Sequence, residues 1–465
     1  MRNIILIITD TYRYDNLTGR NPAIGTRTPQ LDRFAAAYAT EVHGFYTGSF
    51  PTIPHRTDLA TGRTGWPHYG WQPLDLSGRN HIARLLGRAG YATQLICDCP
   101  HLFPARFDQG FEAAWQHRGQ EGDRPLLHLN DPIVEVMDHS KTRTAPLYRG
   151  KTLADTHRWT NRYPKCEADT FPHRTAETAV RWLEENYKAE PFFLWVDFFD
   201  PHEPWDPPEY LVRRYDPEYA GTPMIHPNYG PSDVYTPQEL RNLRAHYAAE
   251  AELVDRWIGR VLQKVDDLEL WDRSVVVVTS DHGMSLGEHG RTGKSNLHSA
   301  DRRHWPLYPE LSHVPFFVAA PNVPKGTGIR TFAQPADILP TLCDLAEVRV
   351  EPPDPLHGRS FASVVREGHG THRQFAVAGS FAGSGMQQVP AKASTPFVVT
   401  EKWGYAPVGA QGAEELYDLA NDALAERNVA AAHADVVREM RGLLVKHLRD
   451  CDAPAEAFRI WVPEQ

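Results

Sequence analysis

Short apolar runs rich in β-branched and aromatic residues punctuate this chain, and between them apolar residues return every third or fourth position. The first pattern reads as strands and the second as amphipathic helices. Asn3–Thr9 (NIILIIT), 192–199 and 275–279 are apolar almost without interruption, as strands covered on both faces of a parallel sheet must be. Further strands are expected over 91–96 and 315–320, and helical spacing marks 28–39, Ile82–Arg88, 175–188 and 237–268. Such alternation predicts an α/β fold with a large, mostly parallel sheet sandwiched by helices.

The rhythm breaks twice. From about 115 to 172 the chain turns polar, rich in His, Arg, Asp and Thr, and reads as a long insertion. Segments of that length are binding loops or flexible, so it walls either a substrate pocket or a subunit contact, and the sequence leaves the two open. Past 359–361 the pattern changes to short strands, 375–378 and 396–400, and a last helix over 431–448. The expected division is a large α/β domain over 1–369 and a smaller C-terminal α+β subdomain over 370–465.

A chain of 465 residues suits that division. With 49 basic and 59 acidic residues, a formal charge of -10 and no basic run, nucleic acid and anionic membrane are not expected partners. The apolar stretch at 4–8 is too short for a membrane span. Five cysteines make an odd number without paired metal-ligand spacing, which points to a reduced, cytoplasmic setting. Cys97-x-Cys99 reads as a packed turn before a redox or soft-metal pair. A homo-oligomer stays open.

Candidate chemistry gathers in three segments. Residues 52–63 read TIPHRTDLATGR, 3–17 read NIILIITDTYRYDNL, and 274–294 read SVVVVTSDHGMSLGEHGRTGK. The first resembles the nucleophile motif of the sulfatases, C/S-x-P-S-R followed by x-x-L-x-T-G-R, whose first residue becomes formylglycine in that family. Thr52 stands at that position, so the resemblance implies a plain hydroxyl nucleophile, as in the phosphatase and phosphodiesterase relatives of the alkaline phosphatase superfamily. The second segment resembles the family's first strand and metal turn, with Asp10, Arg13 and Asp15 in register and Thr11 at a position often held by a second ligand. In the third, Asp281-His282 is more similar to the phosphonate monoester hydrolases than to the many sulfatases with Asp-Asn. Residues 191–208 and 414–428 also resemble family segments, so the likeness runs nearly end to end.

Ligands of open α/β sheets collect at the carboxyl ends of strands. Asp10, Asp281 and His282 end two strands, and His202 follows a third. Two carboxylates and an imidazole suit one divalent metal ion, manganese or zinc before calcium or magnesium, with Thr52 as a further ligand and Thr11 as a possible one. The expected reaction is hydrolysis of a small anionic ester. Thr52 attacks, Arg56 and Lys294 offset charge on the transferred group, and His202 protonates the leaving oxygen because an unperturbed imidazole titrates near neutrality. A phosphate diester or phosphonate monoester is expected through a covalent threonine intermediate. A sulfatase is the alternative and a metal-binding relative without turnover the third reading. His55 holds the family's Ser position and either assists the nucleophile or fills space. Where the family has G-K-x-H, this chain has Cys97-Asp98-Cys99-Pro100-His101, and His101 could substitute. His298, Arg302, Arg303, His304 and Tyr308 form either a solvated loop or donors for an anionic substrate.

Overall fold

Strand β1 (Asn3–Thr9) runs through the middle of an eight-stranded sheet in the computed structural model, which describes all residues except 22, 144–145, 163–165, 299, 382–387 and 463–465. Its companions are β2 (Thr40–Phe45), β3 (Ala92–Cys97), β4 (Ala113–Gln116), β5 (Phe192–Phe198), β6 (Ser274–Ser280), β7 (Phe316–Ala319) and β8 (Thr327–Ala333). The order across the sheet is β8, β2, β7, β6, β1, β5, β3, β4. β7 is antiparallel to β2 and β6, and the other pairings are parallel.

The unbroken apolar runs are explained by two cores, one on each face. On β1, Ile4, Leu6 and Ile8 enter one core together with Ile53 and Leu59 of the helix Thr52–Thr61, whereas Ile5 and Ile7 enter the other with Val254 and Ile258 of the helix Pro237–Asp267. All five β1 side chains are fully buried, and burial of each contributes about 1.5–3 kcal/mol. β5 divides likewise, with Phe193 and Trp195 on the first face and Leu194 and Val196 on the second.

Helix ends follow local signals. Pro237–Asp267 opens with a Thr236/Glu239 capping box and Pro at its first position. The helix expected over 175–188 begins earlier, as Phe171–Asn186, because Pro172 is tolerated in a first turn. Inside the polar 115–172 segment lies a helix the periodicity did not suggest, Leu153–Thr160, started by a Thr152/Asp155 capping box. Asp155 also accepts from Val136 N at 2.8 Å and bonds His139 at 3.0 Å, so one buried carboxylate organises much of the insertion.

A second sheet of five strands has the order Glu415–Asp418, Trp403–Ala406, Phe397–Val399, Ala376–Ser380, Ser49–Phe50. Helices Ala434–Asp450 and Ala455–Trp461 cover it through Met440, Leu444 and Trp461. Its last strand comes from the N-terminal part of the chain, pairs in parallel with Gly379 and Ser380, and ends two residues before Thr52. Among the described residues no helix is long and apolar enough to cross a membrane.

Candidate active site

Three neighbouring strands deliver carboxylates to one face of the sheet. The alternation that carries Phe193 and Trp195 into the first core carries Asp197 there too. Continued past the strand ends, it does the same for Asp10 after Ile8 and for Asp281 after Val277. Against that face packs the helix Thr52–Thr61, every residue of which is buried. It ends at Gly62, whose φ of 68° is left-handed, as a helix stop favours.

This helix presents Arg56 to all three carboxylates. Nε and Nη2 donate to Asp197 at 2.9 and 2.8 Å, and Nη1 donates to Asp10 at 3.1 Å, to Asp281 at 2.5 Å and to the Thr52 carbonyl at 3.2 Å. The guanidinium is therefore engaged on every nitrogen by the protein's own oxygens, which the motif spacing did not reveal. Asp197, which the sequence reading did not count in the site, is its bidentate partner and also accepts from Trp195 Nε1 at 3.0 Å. The only signal for it was a single charge inside an otherwise apolar strand.

Thr52 is the first residue of the helix, only 1% exposed, with Oγ1 3.4 Å from His282 Nε2. The His282 Nδ1 faces the Gly283 carbonyl at 2.9 Å, and a carbonyl only accepts, so Nδ1 holds the proton and Nε2 keeps its lone pair. Nε2 lies 3.7 Å from Asp10 Oδ1 and 3.6 Å from Asp281 Oδ2. Burial pushes the His282 imidazole down to about 4, which keeps that lone pair free at neutral pH.

The trio Asp10, Asp281 and His282 fits a divalent metal ion, as their donor atoms lie within 4.8 Å of one another and all are buried. Asp10 Oδ1 and Thr11 Oγ1 are buried without a hydrogen-bond partner, as atoms awaiting a cation are. Burial and then the charge of Asp281 raise the Asp10 carboxyl far above the usual range. Burial opposes the charge on Asp281, but His282 and Arg56 outweigh it and hold that carboxyl low. Thr11 also has φ 61°, an unusual backbone for a β-branched residue and one that costs about 1–3 kcal/mol. Its N–H donates to Asp281 Oδ1 at 3.0 Å and its carbonyl accepts from Tyr247, so the surroundings impose that turn.

Beside this trio stands a second polar group. His202 Nδ1 donates to the Glu203 carbonyl at 2.6 Å, so its Nε2 is the acceptor for the Lys294 ammonium. Burial, and next the charge of Lys294, push the His202 imidazole well below its ordinary value. The premise that His202 titrates near neutrality is thus corrected: burial and the neighbouring Lys294 keep the imidazole neutral, with Nε2 facing Lys294 Nζ. Glu203, fully buried beside it, takes a hydrogen bond from Tyr229 and has Oε2 unpartnered.

The other predicted residues fall in different surroundings. His55 bonds Thr47 Oγ1 at 3.0 Å and leaves Nε2 unpartnered, and burial drives it down to about 3. His101 pairs with Glu121 of the insertion at 2.6 Å, and Arg143 stands 3.8 Å from the same carboxylate. Arg143 also lies over the Tyr229 ring at 5.6 Å, so the insertion reaches the Glu203 side of the site. His304 bonds Ala410 through its backbone, Arg303 pairs with Asp301, and Tyr308 donates to Glu415 at 2.7 Å; these three tie 301–308 to itself and to the C-terminal sheet and are not gathered at the trio. Arg13 is held by Asp15 and Glu288 and likewise serves structure. Cys97 and Cys99 are buried thiols raised well above their ordinary value by burial, the packed-turn alternative.

A family model described as Sulfatase matches residues 2–348. An arylsulfatase of Clostridium perfringens is 25% identical over 96% of this chain and 94% of its own length. Human iduronate 2-sulfatase is 30% identical over 76% of this chain and 70% of its own length. The crystal structure of the phosphonate monoester hydrolase of Agrobacterium radiobacter superposes with a TM-score of 0.73 at 22% identity, over 97% of this chain and 96% of that one.

Proposed function

The chain belongs to the sulfatase family, and from that premise we propose that it is a metal-dependent hydrolase of phosphate diesters or phosphonate monoesters that works through a covalent ester of Thr52. One observation supports the choice: a threonine hydroxyl is buried 3.4 Å from His282 Nε2, and we take Thr52 to hold the formylglycine position on the resemblance of 52–63 to the family motif. An aldehyde hydrate can expel sulfate by re-forming the aldehyde. A threonine sulfate can only be attacked by water, whereas a threonine phosphoester has a hydrolytic escape assisted by cationic groups.

The residues divide the work as follows. Asp10, Asp281 and His282 would hold the metal, and a divalent ion there supplies a Lewis acid that favours the ionised Thr52 hydroxyl and offsets charge on the transferred group. Manganese or zinc is the proposed ion, because one imidazole stands among the oxygens. Arg56 keeps Asp10 and Asp281 in register and fixes the first turn of the helix through the Thr52 carbonyl. Thr52, whose hydroxyl proton passes to solvent water, bonds through Oγ to phosphorus as the bond to the leaving oxygen breaks, and that oxygen takes a proton from the Lys294–His202 pair. Water then attacks phosphorus, gives one proton back to the Lys294–His202 pair and keeps the other on the product's new oxygen, while the bond to Oγ breaks and Thr52 takes a proton from solvent water to restore its hydroxyl.

Sulfate ester hydrolysis is the second reading, favoured by the names of the arylsulfatase and iduronate 2-sulfatase relatives. A panel of aryl phosphodiesters, phenylphosphonates and aryl sulfates, each with manganese, zinc or calcium, separates the two. Quenched digests of the enzyme should carry a phosphoryl or phosphonyl adduct on the peptide containing Thr52. An unmodified Thr52 together with faster sulfate turnover would overturn the proposal.

A further inference from the structure

A cavity of about 380 Å³ opens where the C-terminal helix Ala434–Asp450 meets the main domain, lined among others by His357, Arg359, Arg373, Gln374, Lys446 and His447. Thr64, just past the end of the helix Thr52–Thr61, also lines it. That ten-residue helix is about 15 Å long, and Thr52 is at its other end, so the cavity is separate from the candidate active site.

Two of its imidazoles hold a buried ring nitrogen without a hydrogen-bond partner. The Thr64 N–H donates to His357 Nδ1 at 3.1 Å, so the proton of this imidazole is on Nε2, which is buried without a partner. His447 is 8% exposed, stacks on Trp66 at 5.7 Å and likewise has Nε2 buried and unpartnered. Burial holds His357 down to about 4 and His447 to about 3, so both are neutral at pH 7. Among the described residues the Arg359 side chain meets no acid, Arg373 is paired with Asp337 at 2.5 Å, and Lys446 with Asp450 at 2.7 Å. Of the three cations that line the cavity, two are offset by these acids and Arg359 is the one left without an acidic partner among the described residues. A buried polar atom left without a partner costs about 1–3 kcal/mol; a negatively charged, acceptor-only group would take the proton of His357 Nε2 and that of His447 in its Nε2–H tautomer, and would pair with the exposed Arg359 guanidinium.

We infer that this cavity is a second binding site, for a small organic molecule that carries a phosphate or sulfate group, with the oxyanion between Arg359, His357 and His447. The volume is that of a ligand pocket and exceeds what a bare tetrahedral anion fills, and Thr64 and Gln374 remain to meet hydroxyls on the organic part.

Calorimetric titration of the metal-loaded protein with glucose 6-phosphate, and separately with sodium phosphate at constant ionic strength, tests this. Two classes of site are expected, one of them binding the sugar ester at least tenfold more tightly than orthophosphate. Arg359→Ala, on an exposed side chain, and His447→Gln should each weaken that class at least tenfold and leave kcat/KM for ester hydrolysis within twofold. A single class of site in the parent, or two classes unchanged in Arg359→Ala, would overturn the inference. Orthophosphate binding as tightly as the ester would overturn the assignment of an organic ligand.

Discussion

Replacing Arg56 by Leu removes five hydrogen bonds and leaves three buried carboxylates facing one another. Taking away one partner of a buried ion pair costs about 3–5 kcal/mol, because the other charge stays buried and uncompensated. Bound metal can offset the loss at Asp10 and Asp281. It cannot do so for Asp197, whose remaining side-chain partner is the Trp195 indole. The metal-loaded variant should therefore lose about 3 kcal/mol in its first unfolding transition and the metal-stripped variant about 5 kcal/mol. Adding Asp197→Leu should return at least about 1.5 kcal/mol, since contacting residues couple. Urea unfolding followed by tryptophan fluorescence, with and without metal, reads these differences. A variant within about 0.5 kcal/mol of the parent, or a double variant no more stable than Arg56→Leu, would refute the positioning role.

Asp281→Asn should lower metal affinity and turnover together, and elemental analysis that finds a full equivalent of tightly held metal would remove Asp281 from the ligand set. His289 donates from one ring nitrogen to Glu310 at 2.9 Å and from the other to the Ala425 carbonyl at 2.9 Å. Burial opposes its charge, but Glu310 prevails and raises it from 6.5 to about 9. A folded value above the unfolded one gives stability that is complete below pH 6.5 and disappears as the pH rises through about 9, here about 3 kcal/mol. Denaturation at pH 6 and pH 9.5 should show this loss in the parent and not in His289→Gln, and equal pH dependence in both would contradict it. Phosphodiester or phosphonate monoester turnover should exceed that of the matching aryl sulfate by about a hundredfold in kcat/KM, about 2.7 kcal/mol; an aryl sulfate that matches the diester would favour the second reading.

The main sheet was legible where burial is complete. An apolar run such as Asn3–Thr9 can only be a strand with a core on each side, and its bounds are those observed. β2 escaped notice because His43 and Gly44 interrupt an otherwise strand-like hexapeptide whose place in the sheet depends on β7 and β8, far away in sequence. The insertion helix was hidden because its start is marked by a local side-chain bond, Thr152 with Asp155, in a segment with little apolar period. At the site, motif spacing named Asp10, Thr52, Arg56, Asp281, His282, His202 and Lys294, which the fold brings to two adjoining groups. Spacing could not show that Arg56 is fully engaged, that Asp197 engages it, or that Lys294 keeps His202 neutral. Those facts depend on which face each strand residue takes and on which imidazole nitrogen is already occupied.

The central claim is that Thr52 attacks the substrate directly, and the configuration at phosphorus tests it. A phosphonate monoester or phosphodiester made chiral at phosphorus by sulfur and oxygen isotopes passes through two in-line displacements if a Thr52 ester forms, and through one if water attacks directly. The account predicts net retention of configuration in the released product, and loss of turnover in Thr52→Ala. Net inversion, with Thr52→Ala still active, would contradict it.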